Sequence, residues 1–174
     1  NQLLTATALN FEVKSSYSIR IQTNDGNGGT YQKAFSIAVN DVNEAPLYHD
    51  AAVSIVENLS NASNVLNTSA TDVDALQVLT YSIVSGNTGG AFSINSSSGQ
   101  ISVANSFALN YEVTPLFSLV VRATDNGTGS LFDNAAISIT ITNVNDSPVF
   151  TLPGAQVVNE FTNLNISPIV INDE

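Results

Sequence analysis

Cysteine, methionine and tryptophan are all absent from this 174-residue sequence. Without cysteine there is no disulfide framework, no thiolate zinc site and no thiol nucleophile. A secreted module lacking disulfides needs another staple, and bound metal is one such device. Basic residues are scarce: four stand against fifteen acidic ones, a formal charge of −11. So few cations cannot neutralise a phosphate backbone, which argues against a nucleic-acid partner. The same imbalance makes a divalent cation an attractive partner. No run of about 18 apolar residues occurs, so no membrane span is expected in this segment. The opening Asn-Gln-Leu-Leu-Thr-Ala lacks the basic and apolar regions of a signal peptide, and the expectation is a piece cut from something longer.

What is present is a repeat. Leu9-Asn10-Phe11-Glu12 returns 100 residues later as Leu109-Asn110-Tyr111-Glu112. The alternating Tyr17-Ile19-Ile21, ending at Asp25, returns as Phe117-Leu119-Val121, ending at Asp125. After a loop two residues longer, Phe35-Ile37-Val39 answers to Ile137-Ile139-Ile141. Asp41-Val42-Asn43-Glu44-Ala45-Pro46 closes one copy and Asn143-Val144-Asn145-Asp146-Ser147-Pro148 the next. A period near 100 residues is that of a whole domain and is too long for a solenoid unit.

Within the repeat, apolar and polar residues alternate, which places one face of each strand on a core and the other in water. The complete copy predicts seven strands, near 51–57, 65–71, 77–84, 91–95, 100–104, 115–124 and 133–143. Turn chemistry separates them, as at Ser96-Ser97-Ser98-Gly99 and Asp125-Asn126-Gly127. Seven short strands in about 100 residues describe an all-β, immunoglobulin-like Greek-key sandwich. The expected organisation is the late part of one repeat at 1–45, a complete repeat at 46–148 and the early part of another at 149–174. Two strands alone are not stable. The terminal pieces must therefore lean on the complete repeat, or be completed by other copies of the chain in a fibre.

Five acidic motifs carry a specific resemblance: Val56-Glu57-Asn58, Asp72-Val73-Asp74, Leu109-Asn110-Tyr111-Glu112, Ala123-Thr124-Asp125 and Asp41-Val42-Asn43-Glu44-Ala45-Pro46. In order and kind they resemble the xEx, DxD, LDxE, xDx and DxNDNAP signatures of cadherin repeats. That resemblance implies a cadherin-type sandwich and Ca²⁺, up to three ions, bound where consecutive repeats meet. It implies a first junction built from Asn10, Glu12, Asp41, Asn43, Glu44, Asp72, Asp74 and Asp125. Six of these are carboxylates, whose charge three Ca²⁺ ions would balance. It implies a second, partial junction from Glu57, Asn110, Glu112, Asn143, Asn145, Asp146 and Asp173. The donor chemistry agrees, since calcium takes about six to eight carboxylate, amide and backbone oxygens. Unscreened by metal, six like charges in one place repel, and the linker is then expected to splay.

This sequence departs from the family pattern at several positions. Asn10 and Asn110 stand for the first Asp of LDxE, and Asn143 for the first linker Asp. Each keeps an oxygen and loses a charge, which weakens binding. Glu44 replaces another linker Asp, and the first junction lacks the xEx glutamate.

Each motif has a plainer reading. A lone Asp beside a turn is usually an Asx-turn or a cap; it is five motifs in register with a domain-length repeat that point to metal. Asn24-Asp25-Gly26-Asn27-Gly28-Gly29 lies between two strand patterns with no helix after it, so a hairpin loop is expected rather than a phosphate cradle. His49 is expected at the surface, and the sequons at Asn58 and Asn67 are common by chance in an Asn- and Ser-rich chain.

The expected function is that of a calcium-binding, extracellular structural or adhesive module, a rod segment of tandem repeats. The missing cysteines and the DVNEAP-style linker resemble cadherin-like repeats of large bacterial surface proteins. Its partners would be neighbouring repeats and, in a fibre, homotypic chains. The absence of Trp argues against strand-swap adhesion of the animal type. A carbohydrate-binding accessory module is the alternative, although no aromatic platform is visible. An enzyme is not expected: the junction motifs claim every clustered carboxylate, and a triad would depend on His49 alone.

Overall fold

A computed structural model describes residues 2–151, 157, 159–161, 163 and 170–172. Strands β1 (Ser16–Asn24) and β2 (Thr30–Ala38) form an antiparallel hairpin. The central segment holds β3 (Ala51–Val56), β4 (Asn64–Asn67), β5 (Thr80–Ser85), β6 (Phe92–Ile94), β7 (Gln100–Val103), β8 (Leu116–Thr124) and β9 (Phe132–Thr142). β10 (Val149–Thr151) pairs with β11 (Val170–Asn172). The only helical elements among the described residues are two three-residue 3₁₀ turns, Thr88–Gly90 and Ser106–Ala108.

The seven central strands make two sheets, β3-β9-β8-β5 and β4-β7-β6. Strand β3 runs parallel to β9, with Ala51 opposite Ile137 and Val56 opposite Thr142. The other pairings in these sheets are antiparallel. The core is the inward set of alternating residues: Phe117, Leu119, Val121 and Ala123 from β8, and Ala135, Ile137, Ile139 and Ile141 from β9, all buried. Across the sandwich lie Val65, Phe92, Ile101 and Val103. Phe92 meets Phe117 edge to face at 5.1 Å, and Tyr48 meets Tyr81 in the same way at 5.7 Å. Such geometry suits the ring quadrupoles and adds to the area buried.

The repeat seen in the sequence is reproduced in strand register. Ser16 pairs with Ala38 and Asn24 with Thr30; Leu116 pairs with Thr140 and Thr124 with Phe132. Both hairpins thus share one register once the two-residue loop difference is counted. Likewise Leu47 bridges Thr71 by two backbone hydrogen bonds of 2.7 and 3.0 Å, as Val149 pairs with Asn172.

Two strand expectations need correction. The strand expected at 65–71 ends at Asn67, because Thr68 turns inward and donates its hydroxyl to the Gly99 carbonyl at 2.8 Å. The strand expected at 77–84 starts only at Thr80. Leu76 lies at φ 70°, and the Val78 N–H donates to Asn126 Oδ1 at 2.9 Å, which commits 76–78 to a loop.

Candidate metal centres

The segment after Leu9 begins with a turn in which Asn10 Oδ1 accepts the Val13 N–H at 2.7 Å and the Asn10 carbonyl accepts the Lys14 N–H at 3.1 Å. Asn110 repeats this turn, with Val113 at 2.7 Å and Thr114 at 2.8 Å. A short amide side chain suits such a cap. In each copy the turn carries the glutamate that follows it by two, Glu12 or Glu112.

At the first junction Glu12, Asp41, Glu44 and Asp74 bring one carboxylate oxygen each within 4.8 Å of one another. Asp74 is 8% exposed. It is held from both sides: its own N–H donates to Asp72 Oδ1 at 3.0 Å, and its Oδ2 accepts the Glu44 N–H at 2.9 Å. Asp125, 4% exposed, spends Oδ1 on the Gly127 and Leu131 N–H groups and accepts Asn43 Nδ2 on Oδ2 at 3.1 Å. The linker residues Asp41, Asn43 and Glu44 thereby meet the loops at 72–77 and 125–131. Partial desolvation, then repulsion from Glu12, Asp74, Asp41 and Asp72, holds the Glu44 carboxyl above its ordinary value of 4.5. Adjoining cavities of about 330 and 250 Å³ are lined by Glu12, Asp41, Asn43 and Asp74 among others.

At the second junction Glu57, Glu112 and Asp146 converge within the same 4.8 Å. Glu57 is 2% exposed and takes the Tyr111 N–H on Oε2 at 2.8 Å and the Val144 N–H on Oε1 at 2.6 Å. Asn143 donates to Glu112 Oε1 at 2.7 Å, while Asn145 turns its amide to the Asp146 carbonyl. Asn110 lines a cavity of about 290 Å³ with Glu57 and Asp146. Asp173 lies outside the described residues.

Protein counter-charge goes elsewhere. Lys14 and Lys33 lie over the rings of Tyr17 and Phe35, Arg122 over Phe132, and Arg20 reaches Gln32. All four basic side chains are therefore accounted for away from both acidic groups. Asp72 Oδ2, moreover, is buried with no hydrogen-bond partner. An orphaned anionic oxygen beside crowded carboxylates is a donor set that fits a hard divalent cation. The aromatic platform of a sugar-binding surface gains nothing from Tyr48 and Tyr81, both buried against each other in the core.

Two residues escaped the motif reading. Glu160 is one: the residues that follow Glu57 and Glu160, Asn58 and Phe161, both have φ 62°. Gln77 sits in the first junction, where its Nε2 donates to Asn43 Oδ1; no local pattern marks it.

A cadherin-domain family model matches residues 51–142. Protocadherin Fat 2 of Mus musculus is 35% identical over 148 residues, 81% of this chain and 3% of that protein. Neural-cadherin of Drosophila melanogaster is 32% identical over 166 residues, 87% of this chain and 5% of that protein. The chain thus spans only a few per cent of the curated relatives it matches. Among solved structures, a protocadherin gammaB7 EC3-6 cis-dimer gives a TM-score of 0.67 at 21% identity, over 97% of this chain and 46% of that one. The human desmocollin-1 ectodomain gives 0.60 at 23% identity, over 97% and 34%.

Proposed function

This chain belongs to the cadherin family, and from that premise we propose that it is a Ca²⁺-binding module of an extracellular adhesion protein, stiffened where its repeats meet. The family's relatives are adhesion proteins rather than enzymes, which agrees with a non-catalytic role. The observation that carries the calcium reading is the convergence of Glu12, Asp41, Glu44 and Asp74 with no basic side chain among them. Asp72, Asn43 and Asp125 complete this donor set, and the turn at Asn10 presents Glu12. Glu57, Glu112 and Asp146, with Asn110, Asn143 and Asn145 beside them, form the second set. On this reading the repeats divide at 1–45, 46–148 and 149–174. Bound calcium would neutralise the crowded carboxylates and tie the linker 41–45 to the loops of the complete repeat. Partners are neighbouring repeats of the same protein, with homotypic chains in a fibre as the extended form of the same reading.

The test is thermal unfolding and small-angle scattering of this chain, in millimolar calcium and then in excess EDTA. A higher melting temperature and a longer, stiffer particle in calcium are expected. Identical curves in both buffers would leave an ordinary sandwich with solvated acidic turns.

A further inference from the structure

Gln77 belongs to none of the junction motifs, yet it shares a cavity of about 250 Å³ with Asp41, Asn43, Asp74 and Gly127. Its Nε2 donates to Asn43 Oδ1, and Asn43 Nδ2 donates in turn to Asp125 Oδ2 at 3.1 Å. The far end fixes the polarity of this chain, because an ionised carboxylate only accepts. Gly127 leaves the room for it: a Cβ there would stand 1.7 Å from Asn43 Oδ1 and 2.7 Å from Gln77 Nε2.

That arrangement spends the amide nitrogen of Gln77 and leaves its oxygen over. Gln77 Oε1 is buried without a hydrogen-bond partner; among the described residues the one other such side-chain atom is Asp72 Oδ2, at the same junction. Buried polar atoms are nearly always paired, so two orphaned acceptors on the one loop 72–77 call for a partner that the protein itself does not supply. Both are acceptors, one anionic and one a neutral amide carbonyl, and neither can satisfy the other. A cation that takes mixed carboxylate and amide oxygens suits an acceptor of either kind.

We propose that Gln77 Oε1 is an additional calcium ligand of the first junction, beyond the residues its acidic motifs supply. The proposal rests on the calcium reading above. It also explains why Gln77 donates through nitrogen to Asn43: that bond orients the amide, so its oxygen is presented to the metal and not to solvent.

The experiment is calorimetric titration of the whole chain with CaCl₂ for the wild type, Gln77→Leu and Gln77→Glu. Each is measured well below its own melting temperature in EDTA, so that a folding defect is not mistaken for lost affinity. Gln77→Leu is expected to weaken the first-junction affinity about tenfold, the scale seen when support around a metal is removed. Gln77→Glu keeps an oxygen but has no N–H for Asn43, so it is expected to hold or raise the affinity. Wild-type affinity in Gln77→Leu would overturn the proposal. So would equal losses in both variants, which would mean that Gln77 acts only through its hydrogen bond to Asn43. No binding heat in the wild type would instead sink the calcium reading itself.

Discussion

The backbone N–H of Val144 donates to Glu57 Oε1 at 2.6 Å, joining the end of β3 to a linker 87 residues away. The second oxygen takes the Tyr111 N–H, so one buried carboxylate ties three segments of the complete repeat together. These two bonds favour the charged form more than burial disfavours it, and they hold the Glu57 pKa below its ordinary 4.5.

A depressed carboxylate stabilises the fold above its unfolded pKa and ceases to do so as pH falls through its folded value. In EDTA the contribution of Glu57 to stability is therefore expected to be complete above about pH 4.5 and to be lost as pH falls below it. Glu57→Gln should melt lower at pH 7 and show a flatter acid limb, measured by scanning calorimetry between about pH 7 and 3. An acid limb of the same steepness in both would assign it to other carboxylates.

Leu119 and Ile19 hold one register position in two hairpins, opposite Ile137 and Phe35 respectively. Leu119 is fully buried, whereas Ile19 is half-buried and Phe35 is 41% exposed. Leu119→Ala should then cost about 2–5 kcal/mol in urea unfolding, and Ile19→Ala about 1 kcal/mol or less. Equal costs would mean that β1 and β2 are covered as a true core face.

The strands were legible because each buried face alternates cleanly, as Phe117, Leu119, Val121 and Ala123 do. Their ends were less so, because Thr68 and Val78 make tertiary hydrogen bonds that no local pattern announces. The parallel docking of β3 on β9 is a relation between segments some 86 residues apart, and periodicity carries no information about it. The resemblance of the acidic motifs to cadherin signatures grouped Glu12, Asp41, Glu44 and Asp74 in advance, and the structure brings one carboxylate oxygen of each within 4.8 Å of the others. The resemblance did not reveal that Asn10 and Asn110 cap their own turns, since an Asx cap and a metal ligand ask for the same short polar side chain. Gln77 was invisible because its role depends on a loop conformation, with Leu76 at φ 70°, that no residue type at that position signals.

Gly86 lies at φ 83°, beside a register shift where β5 meets β8. A Cβ there would stand 1.9 Å from the Ser118 carbonyl oxygen, which is backbone and cannot swing aside. Gly90, at φ 63°, has open space around that position. Gly86→Ala is expected to cost about 3 kcal/mol or more, against about 1 kcal/mol for Gly90→Ala, where only the left-handed conformation resists the methyl group. Chemical denaturation of both variants in EDTA checks the ranking, and similar costs would show that the β5–β8 pairing gives way freely.

Asp74 joins two opposing effects, and replacing its charge separates them. It crowds Glu12, Asp41 and Glu44, which is unfavourable without metal, yet those same charges are what a divalent cation binds. Asp74→Asn keeps an oxygen that can accept the Glu44 N–H while removing one charge. In EDTA at neutral pH it should therefore match or exceed the wild type in melting temperature. In millimolar calcium the order should reverse, because saturating a site at a hundredfold excess over its Kd stabilises by about 2.7 kcal/mol and the variant forgoes much of that. Asp146→Asn, in a group of three carboxylates where Glu57 is already held by backbone amides, should show the same crossing in weaker form. An Asp74→Asn variant that tracks the wild type in both buffers would remove Asp74 from the calcium site, and the crowding at Glu44 would then need a different relief.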